Sequence, residues 1–195
     1  MPRFRMLSIV APLSAALACR DVTSPPLTVV RDAQMSLRTP SALVTPSTTP
    51  QISTGYWHVC ALNTSGMVTC WGQNPMGQAT VPSGLVAVSQ ISATGHHTCA
   101  LKADGTVACW GDNEVGQTAV PDGLASVSQI SSGYMHSCAL ESDGTVVCWG
   151  AKDGIPWNYG QANVPAGLAS VVQISAGLMQ TCALKTDRTL VCWGN

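Results

Sequence analysis

Three histidines each stand two residues ahead of a cysteine: His58 before Cys60, His97 before Cys99 and His136 before Cys138. Imidazoles near thiols suit zinc ligation or acid–base work at neutral pH. Yet the three occupy one position of a repeating pattern. A catalytic constellation needs unlike groups converging on a point, whereas equivalent residues of successive units are spread apart by the rotation relating the units. A structural role, such as a hydrogen bond from one unit to the next, fits better. Cysteine spacing agrees, because Cys60 and Cys70, Cys99 and Cys109, Cys138 and Cys148, and Cys182 and Cys192 are each ten positions apart, without the close ligand pairs of a zinc site. No phosphate loop, nucleophile elbow or zinc-protease helix motif occurs. The sequence therefore predicts no catalytic residue, no metal and no cofactor.

The residues between paired cysteines read as a β-hairpin. If Cys60 faces Cys70, Leu62 faces Val68 on the same side of the ribbon, and Thr64-Ser65-Gly66 forms a three-residue loop with Gly at the left-handed position. Leu101 with Val107 around Asp104-Gly105, and Leu140 with Val146 around Asp143-Gly144, repeat the pattern. Counting outward from the closing pair Asn63 and Met67 puts the cysteines on a non-hydrogen-bonded pair, where Cα atoms approach to about 4.5 Å. That geometry suits a disulfide. Four pairs of buried free thiols are the alternative. The strand before each hairpin carries Val88 and Ile91, Val127 and Ile130, or Val171 and Ile174; this spacing is not cleanly alternating, which a fully buried inner strand would tolerate.

Corresponding cysteines recur after 39, 39 and 44 residues (99−60, 138−99, 182−138). Fixed periods of this size mark propellers and solenoids. Gln-Ile-Ser precedes every first cysteine, Cys-Ala-Leu and Cys-Trp-Gly occur in all four units, and three units continue through Gly-Gln and Val-Pro to Gly-Leu. The repeats span 51–89, 90–128, 129–172 and 173–195, the last stopping in mid-motif at Trp193-Gly194-Asn195. The predicted fold is all-β, with about four three-stranded antiparallel blades. Four blades in an arc expose an apolar face at each end unless the chain closes tightly, pairs with another copy or is a fragment of a longer reading frame. An open or incomplete propeller is expected, with self-association of its open ends.

Of the 195 residues, 46% are apolar and 10% charged, and the net charge is −1, which excludes a disordered polar chain and leaves no positive excess for a phosphate backbone. Nucleic acid is not an expected partner. Arg3 and Arg5 followed by the apolar stretch Met6 to Ala18 read as a signal peptide. It ends in Ala16-Leu17-Ala18-Cys19, which resembles the lipobox of bacterial lipoproteins and so implies acylation of Cys19, with a membrane contact through lipid only. Cys19 is also the one cysteine left over when the other eight pair. Residues 20–50, rich in Thr, Ser and Pro, read as a tether. The expected location is the bacterial cell envelope, anchored at the outer membrane, or alternatively secreted.

The run Ser53-x-Gly55-x-x-His58-x-Cys60-Ala61-Leu62, then Gly66-x-Val68-x-Cys70-Trp71-Gly72-x-Asn74-x-x-Gly77-Gln78, resembles the regulator of chromosome condensation repeat in its short bacterial form. The resemblance covers 51–195 and implies a β-propeller, commonly of seven blades. Family members include a guanine-nucleotide exchange factor and a secreted β-lactamase inhibitory protein, but the motif residues build the blade and transfer neither function. Exchange activity is less expected because the export signal separates the chain from intracellular GTPases. Two copies depart from the pattern: Thr94 stands where others have Gly55, Gly133 and Gly177, and Gln180 replaces the histidine.

Trp71, Trp110, Trp149 and Trp193 repeat on the ribbon face opposite the adjacent cysteine and are expected to pack between blades. Aromatics that do not repeat are the better contact candidates, since nothing in the blade requires them. These are Tyr56, Trp57 and Tyr134 beside the histidine position, and Trp157 and Tyr159 in the five-residue insertion within 151–160. Trp157 could instead fold back over a neighbouring blade. The leading functional expectation is a non-enzymatic, surface-tethered module whose loops bind a protein or glycan. The others are a fragment of a longer repeat protein without activity of its own, and a propeller enzyme, for which no convergent set of acidic and basic residues is found.

Overall fold

A computed structural model describes residues 48–124, 126–151 and 156–195. The signal segment, Cys19 and nearly all of the tether lie outside the described residues. The twelve described strands form four separate three-stranded antiparallel sheets. Blade 1 comprises β1 (Gln51–Thr54), β2 (His58–Leu62) and β3 (Val68–Gly72). Blade 2 comprises β4 (Val88–Thr94), β5 (His97–Lys102) and β6 (Val107–Gly111). Blade 3 comprises β7 (Val127–Ser132), β8 (His136–Glu141) and β9 (Val146–Gly150), and blade 4 comprises β10 (Val171–Ala176), β11 (Gln180–Lys185) and β12 (Leu190–Gly194). This is an all-β, open propeller-type array.

The hairpins have the expected register. Cys60 faces Cys70 and Leu62 faces Val68, and the same pairing recurs in every blade. All four cysteine pairs are disulfide-bonded, with Cα atoms 4.1 Å apart. The bond bridges neighbouring strands at a non-hydrogen-bonded pair, where the backbones come closest. Gly66 closes its loop at φ 77°, and Gly105 and Gly144 do likewise at 80° and 87°. Blade 4 puts Arg188 at this position with φ 69°, a left-handed conformation disfavoured for a residue with a Cβ.

The irregular spacing in the first strand of each blade has a cause other than full burial. In blades 2 to 4 the register shifts between Val88 and Gln90, Val127 and Gln129, and Val171 and Gln173. A bulge adds one residue and inverts the alternation. Val88 and Ile91, three apart, thereby reach the same core while the residues between them remain partly exposed.

Each blade has two faces, and the hydrophobic core lies between blades. The trailing face presents the disulfide and its flanking Leu and Val; the leading face presents Ile, Ala and Trp. Cys60 and Leu62 of blade 1 pack with Val88, Ile91, Ala100 and Trp110 of blade 2. Cys99 and Leu101 of blade 2 meet Val127, Ile130, Ala139 and Trp149 of blade 3. Cys138, Leu140 and Val146 of blade 3 meet Val171, Ile174 and Ala183 of blade 4, with Trp193 against them. A three-stranded sheet has too little surface to form a core alone, so each blade is stabilised by its neighbour. The connecting Val-Pro-x-Gly-Leu segments contribute Val81 and Leu85, Val120 and Leu124, and Val164 and Leu168 to these cores.

Candidate binding site

The histidines are inter-blade ties. His58 Nε2 lies 2.8 Å from Thr98 Oγ1, His97 Nε2 lies 2.9 Å from Ser137 Oγ, and His136 Nε2 lies 2.8 Å from Thr181 Oγ1, each partner belonging to the next blade. These hydroxyls in turn donate to the carbonyls of Gln78, Gln117 and Gln161 at 3.2, 2.9 and 2.9 Å. A hydroxyl has one proton, so with that proton given to a carbonyl the imidazole must donate from Nε2. Nδ1 then carries a lone pair, and in all three histidines Nδ1 is buried without a partner. Protonating it would bury a charge whose N–H has no acceptor.

Burial pushes His97 down to about 3, with the imidazoles of His136, His58 and His96 adding to the effect, and pushes His136 down to about 4. His58 is lowered as well, first by burial and then by His96. All three are neutral at pH 7. Space is tight around them: a Cβ on Gly55 or Gly133 would run into the His58 or His136 ring. That explains the glycine three residues ahead of those two histidines. In blade 2 Thr94 takes the position because β4 continues through it and pairs Thr94 with His97.

The same carbonyls accept a second bond, from the indole N–H of Trp110, Trp149 and Trp193 at 2.9, 3.0 and 3.0 Å. The glutamine side chains turn inward too: Gln78, Gln117 and Gln161 are buried, and their Oε1 atoms accept from the backbone N–H of Met76, Val115 and Tyr159. The Gly-Gln motif is therefore a joint that holds a connection against the following blade. Trp110 and Trp149 pack between blades as expected, both 7% exposed, and Trp193 lies partly buried against the core between blades 3 and 4, but Trp71 departs from the expectation at 49% exposed, having no described blade ahead of it to pack on.

The non-repeating aromatics fall at one end of the blades. Tyr56, Trp57 and Tyr134 sit in the turns between first and second strands. The exits of the third strands are bonded to those turns, Gln73 N donating to Trp57 O, Asp112 N to His96 O and Ala151 N to Met135 O. The insertion carrying Trp157 and Tyr159 thus leaves from the same end. Tyr56 of blade 1 and Tyr134 of blade 3 stack across blade 2, with ring centroids 5.2 Å apart and planes at 30°. His96 of blade 2 meets the edge of Tyr56 at 5.7 Å and lies 6.5 Å from Tyr134. What lets the tyrosines meet is Gly95, the blade 2 counterpart of both: a Cβ there would press on the Tyr134 ring and carbonyl, and its own carbonyl accepts the Tyr56 N–H at 3.0 Å.

Tyr56 remains 49% exposed and Trp57 62%. Trp157 and Tyr159 are half exposed, and neither has a ring contact with the tyrosine cluster among the described residues. Trp157 is neither fully projecting nor folded into a core; its carbonyl accepts the Gln161 Nε2–H at 2.8 Å. His96 was not among the sequence candidates. The signal lies in one repeat position, where Trp57, His96, Met135 and Met179 all differ, so the imidazole is as much a departure from the repeat as the indole is.

The sequence matches the family described as Regulator of chromosome condensation (RCC1) repeat over residues 51–78, 88–117 and 127–161. The chain belongs to the RCC1 repeat family. Among solved structures, it is similar to the ectodomain of the Physcomitrella patens receptor kinase CR4, at 31% identity and a TM-score of 0.58, covering 73% of this chain and 40% of that one. Yeast RCC1 (Prp20), solved bound to Kap60, matches at 22% identity and a TM-score of 0.60, covering 80% and 45%. The ectodomain of the Arabidopsis thaliana receptor kinase ACR4 matches at 25% and 0.55, covering 73% and 49%. This RCC1-repeat chain therefore spans less than half the length of these relatives. No curated protein sequence matches it. Four disulfides in one RCC1-repeat domain point to folding in an oxidising, exported setting, and no described helix is long and apolar enough to cross a membrane.

Proposed function

We propose that this chain is an exported, non-enzymatic binding module, held on the cell envelope through lipid at Cys19, which engages a protein or glycan with the loop end of its blades. The observation that carries the reading is the Tyr56–Tyr134 stack with His96 at its edge. The blade does not need these side chains, yet three blades contribute one ring each to a single cluster. Rigid aromatics with few rotors give contact area at low entropic cost. The histidines that could have done chemistry are instead committed to the scaffold, and each is separated from solvent by the interface it ties. Two of the structural relatives are described as receptor-kinase ectodomains, which supports an extracellular recognition role for the repeat.

The test is binding of envelope proteins and soluble envelope oligosaccharides to wild type and to the Tyr56→Ala/Tyr134→Ala double variant. The double variant is expected to bind at least tenfold more weakly while its melting temperature falls only a few degrees. Unchanged affinity in a folded double variant would remove the cluster from the binding face.

A further inference from the structure

Two carboxylates beside the tyrosine stack meet the criterion that picks out its rings, since neither is repeated. Asp112 and Glu114 follow the third strand of blade 2, where blade 1 has Gln73 and Pro75. The Asp112 N–H donates to the His96 carbonyl at 2.9 Å, and Asp112 Oδ1 accepts the Glu114 N–H at 3.0 Å. Blade 2 is the blade across which Tyr56 and Tyr134 stack, so acids and rings share one loop end. Asp112 is partly buried there and Glu114 is exposed.

Among the described residues no cation balances them at this end. Successive turns of an antiparallel sheet alternate between its two ends, so the hairpins joining second to third strands point away from the rings. Every described lysine and arginine, Lys102, Lys185 and Arg188, stands in or beside those hairpins, where Lys102 pairs with Asp104 at 3.4 Å and Lys185 with Asp187 at 3.3 Å. Residues 152–155, outside the described residues, bring Lys152 and Asp153, one charge of each sign. The described aromatic end thus combines negative charge with π faces, which attracts a guanidinium or ammonium and repels an acidic polysaccharide.

A third feature bears on what carries the cation. Gln78 is fully buried, yet its Nε2 has no partner, and neither does the buried His96 Nδ1. Gln78 lies against the exit of the blade 2 third strand, its Cα 3.1 Å from where a Cβ on Gly111 would stand. Its counterpart Gln161 donates through Nε2 to Trp157 O and lies 3.8 Å from Met179 Sδ, and Met179 occupies the repeat position of His96. The unused Gln78 N–H therefore faces the His96 side of the cluster and calls for an acceptor. A peptide carbonyl supplies one through a bridging water. A neutral glycan also offers oxygen acceptors, but it brings no cation for the carboxylates.

We propose that the loop end of blades 1 to 3 takes a basic peptide segment, with an arginine or lysine laid on the Tyr56–Tyr134 rings and its charge directed to Asp112 and Glu114. The proposal rests on the binding-face reading above and adds the chemistry of the occupant. Arginine suits the site better than lysine, because its planar guanidinium can stack on a ring and bond a carboxylate at once. All of the named residues lie within three consecutive blades, so the site depends on nothing that precedes or follows them.

The probe is a capped peptide of alternating glycine and arginine, titrated into the full-length chain by calorimetry, with glutamine and glutamate versions as controls. The arginine peptide is expected to bind and to shift the ring resonances of Tyr56 and Tyr134, the glutamine version to bind at least tenfold more weakly, and the glutamate version not to bind. Asp112→Asn/Glu114→Gln should weaken the arginine peptide about tenfold, whereas Asp143→Asn/Asp187→Asn, which removes as much charge at the hairpin end, should change it less than about twofold. Asp112→Asn keeps an Oδ1 acceptor for the N–H of residue 114, so the turn is preserved. No binding of the arginine peptide, equal binding of its glutamine version, or equal losses in the two charge variants would overturn the proposal. Affinity for the arginine peptide that is independent of salt would do so even if a variant unfolds. Binding of the envelope ligand separates this proposal from the reading beneath it. Loss in Tyr56→Ala/Tyr134→Ala but not in Asp112→Asn/Glu114→Gln would leave the binding face standing and make its occupant uncharged, as a neutral glycan is. Insensitivity to both pairs would remove the face itself.

Discussion

Reducing all four disulfides is expected to unfold the chain at room temperature. Each bond closes a loop of ten residues' separation, which the chain-entropy treatment values at roughly 2 to 3 kcal/mol. Summed over four blades the loss is on the order of 10 kcal/mol, as large as the whole folding free energy of an ordinary domain. The blades have little with which to resist, being three-stranded and without individual cores. Cys60, Cys99 and Cys138 are at most 1% exposed and line the three inter-blade cores, so opening one blade also uncovers its neighbour's leading face. Denaturant titrations with and without a phosphine reductant measure the effect. The Cys138→Ala/Cys148→Ala pair alone should cost roughly 2 to 3 kcal/mol. Reduced protein with an unshifted midpoint would mean that packed thiols suffice.

Acidification should act through the histidines, and its sign follows from their neutrality in the fold. The unfolded chain takes up protons near 6.5, whereas folded His97 and His136 resist until about 3 and about 4. Between those limits the unfolded state holds more protons, so stability is full above pH 6.5 and falls as pH drops toward the folded values. At pH 4.5 the loss relative to pH 7 is roughly 2 to 3 kcal/mol for each of these two groups. Three aspartates act lower in pH. Hydrogen bonds from Thr106, Thr145 and Thr189 hold Asp104, Asp143 and Asp187 below the usual carboxylate range, Asp187 at about 2, so their contribution is present above the unfolded carboxylate value of 3.8 and is lost as pH falls from there through the folded values. Glutamine already stands at the corresponding place in blade 4, so His97→Gln is a conservative probe: its amide can donate to Ser137 but does not titrate. The variant should lose the His97 share of the acid sensitivity and retain that of His136. Equal pH dependence in variant and wild type would contradict the assignment.

Hairpin register, cysteine pairing and the packing role of Trp110 and Trp149 were legible in the sequence because they depend on alternation and turn chemistry within about ten residues. The inter-blade role of the histidines was legible for a different reason: repetition itself argues against convergence. What could not be read were groups defined only once blades stack. The Gln78, Gln117 and Gln161 carbonyls belong to the backbone, which leaves no side-chain pattern at the acceptor. The Val88–Ile91 spacing looked like full burial because a bulge and a two-sided strand give the same irregular period. The Tyr56–Tyr134 contact spans 78 residues and depends on Gly95 having no side chain between them, a combination visible only in three dimensions. The five aromatics selected for failing to repeat do share one end of the blades, but Trp57, Trp157 and Tyr159 stand apart from the tyrosine stack.

The claim beneath all of this is that the repeated histidines tie blades together and do no chemistry. Nitrogen-15 spectra of the imidazoles across a pH titration test it most directly. His58, His97 and His136 should appear as neutral rings protonated at Nε2, with His97 and His136 keeping that form down to pH 5. Any of the three titrating near 6.5 with a proton on Nδ1, or moving when a divalent metal is added, would contradict it.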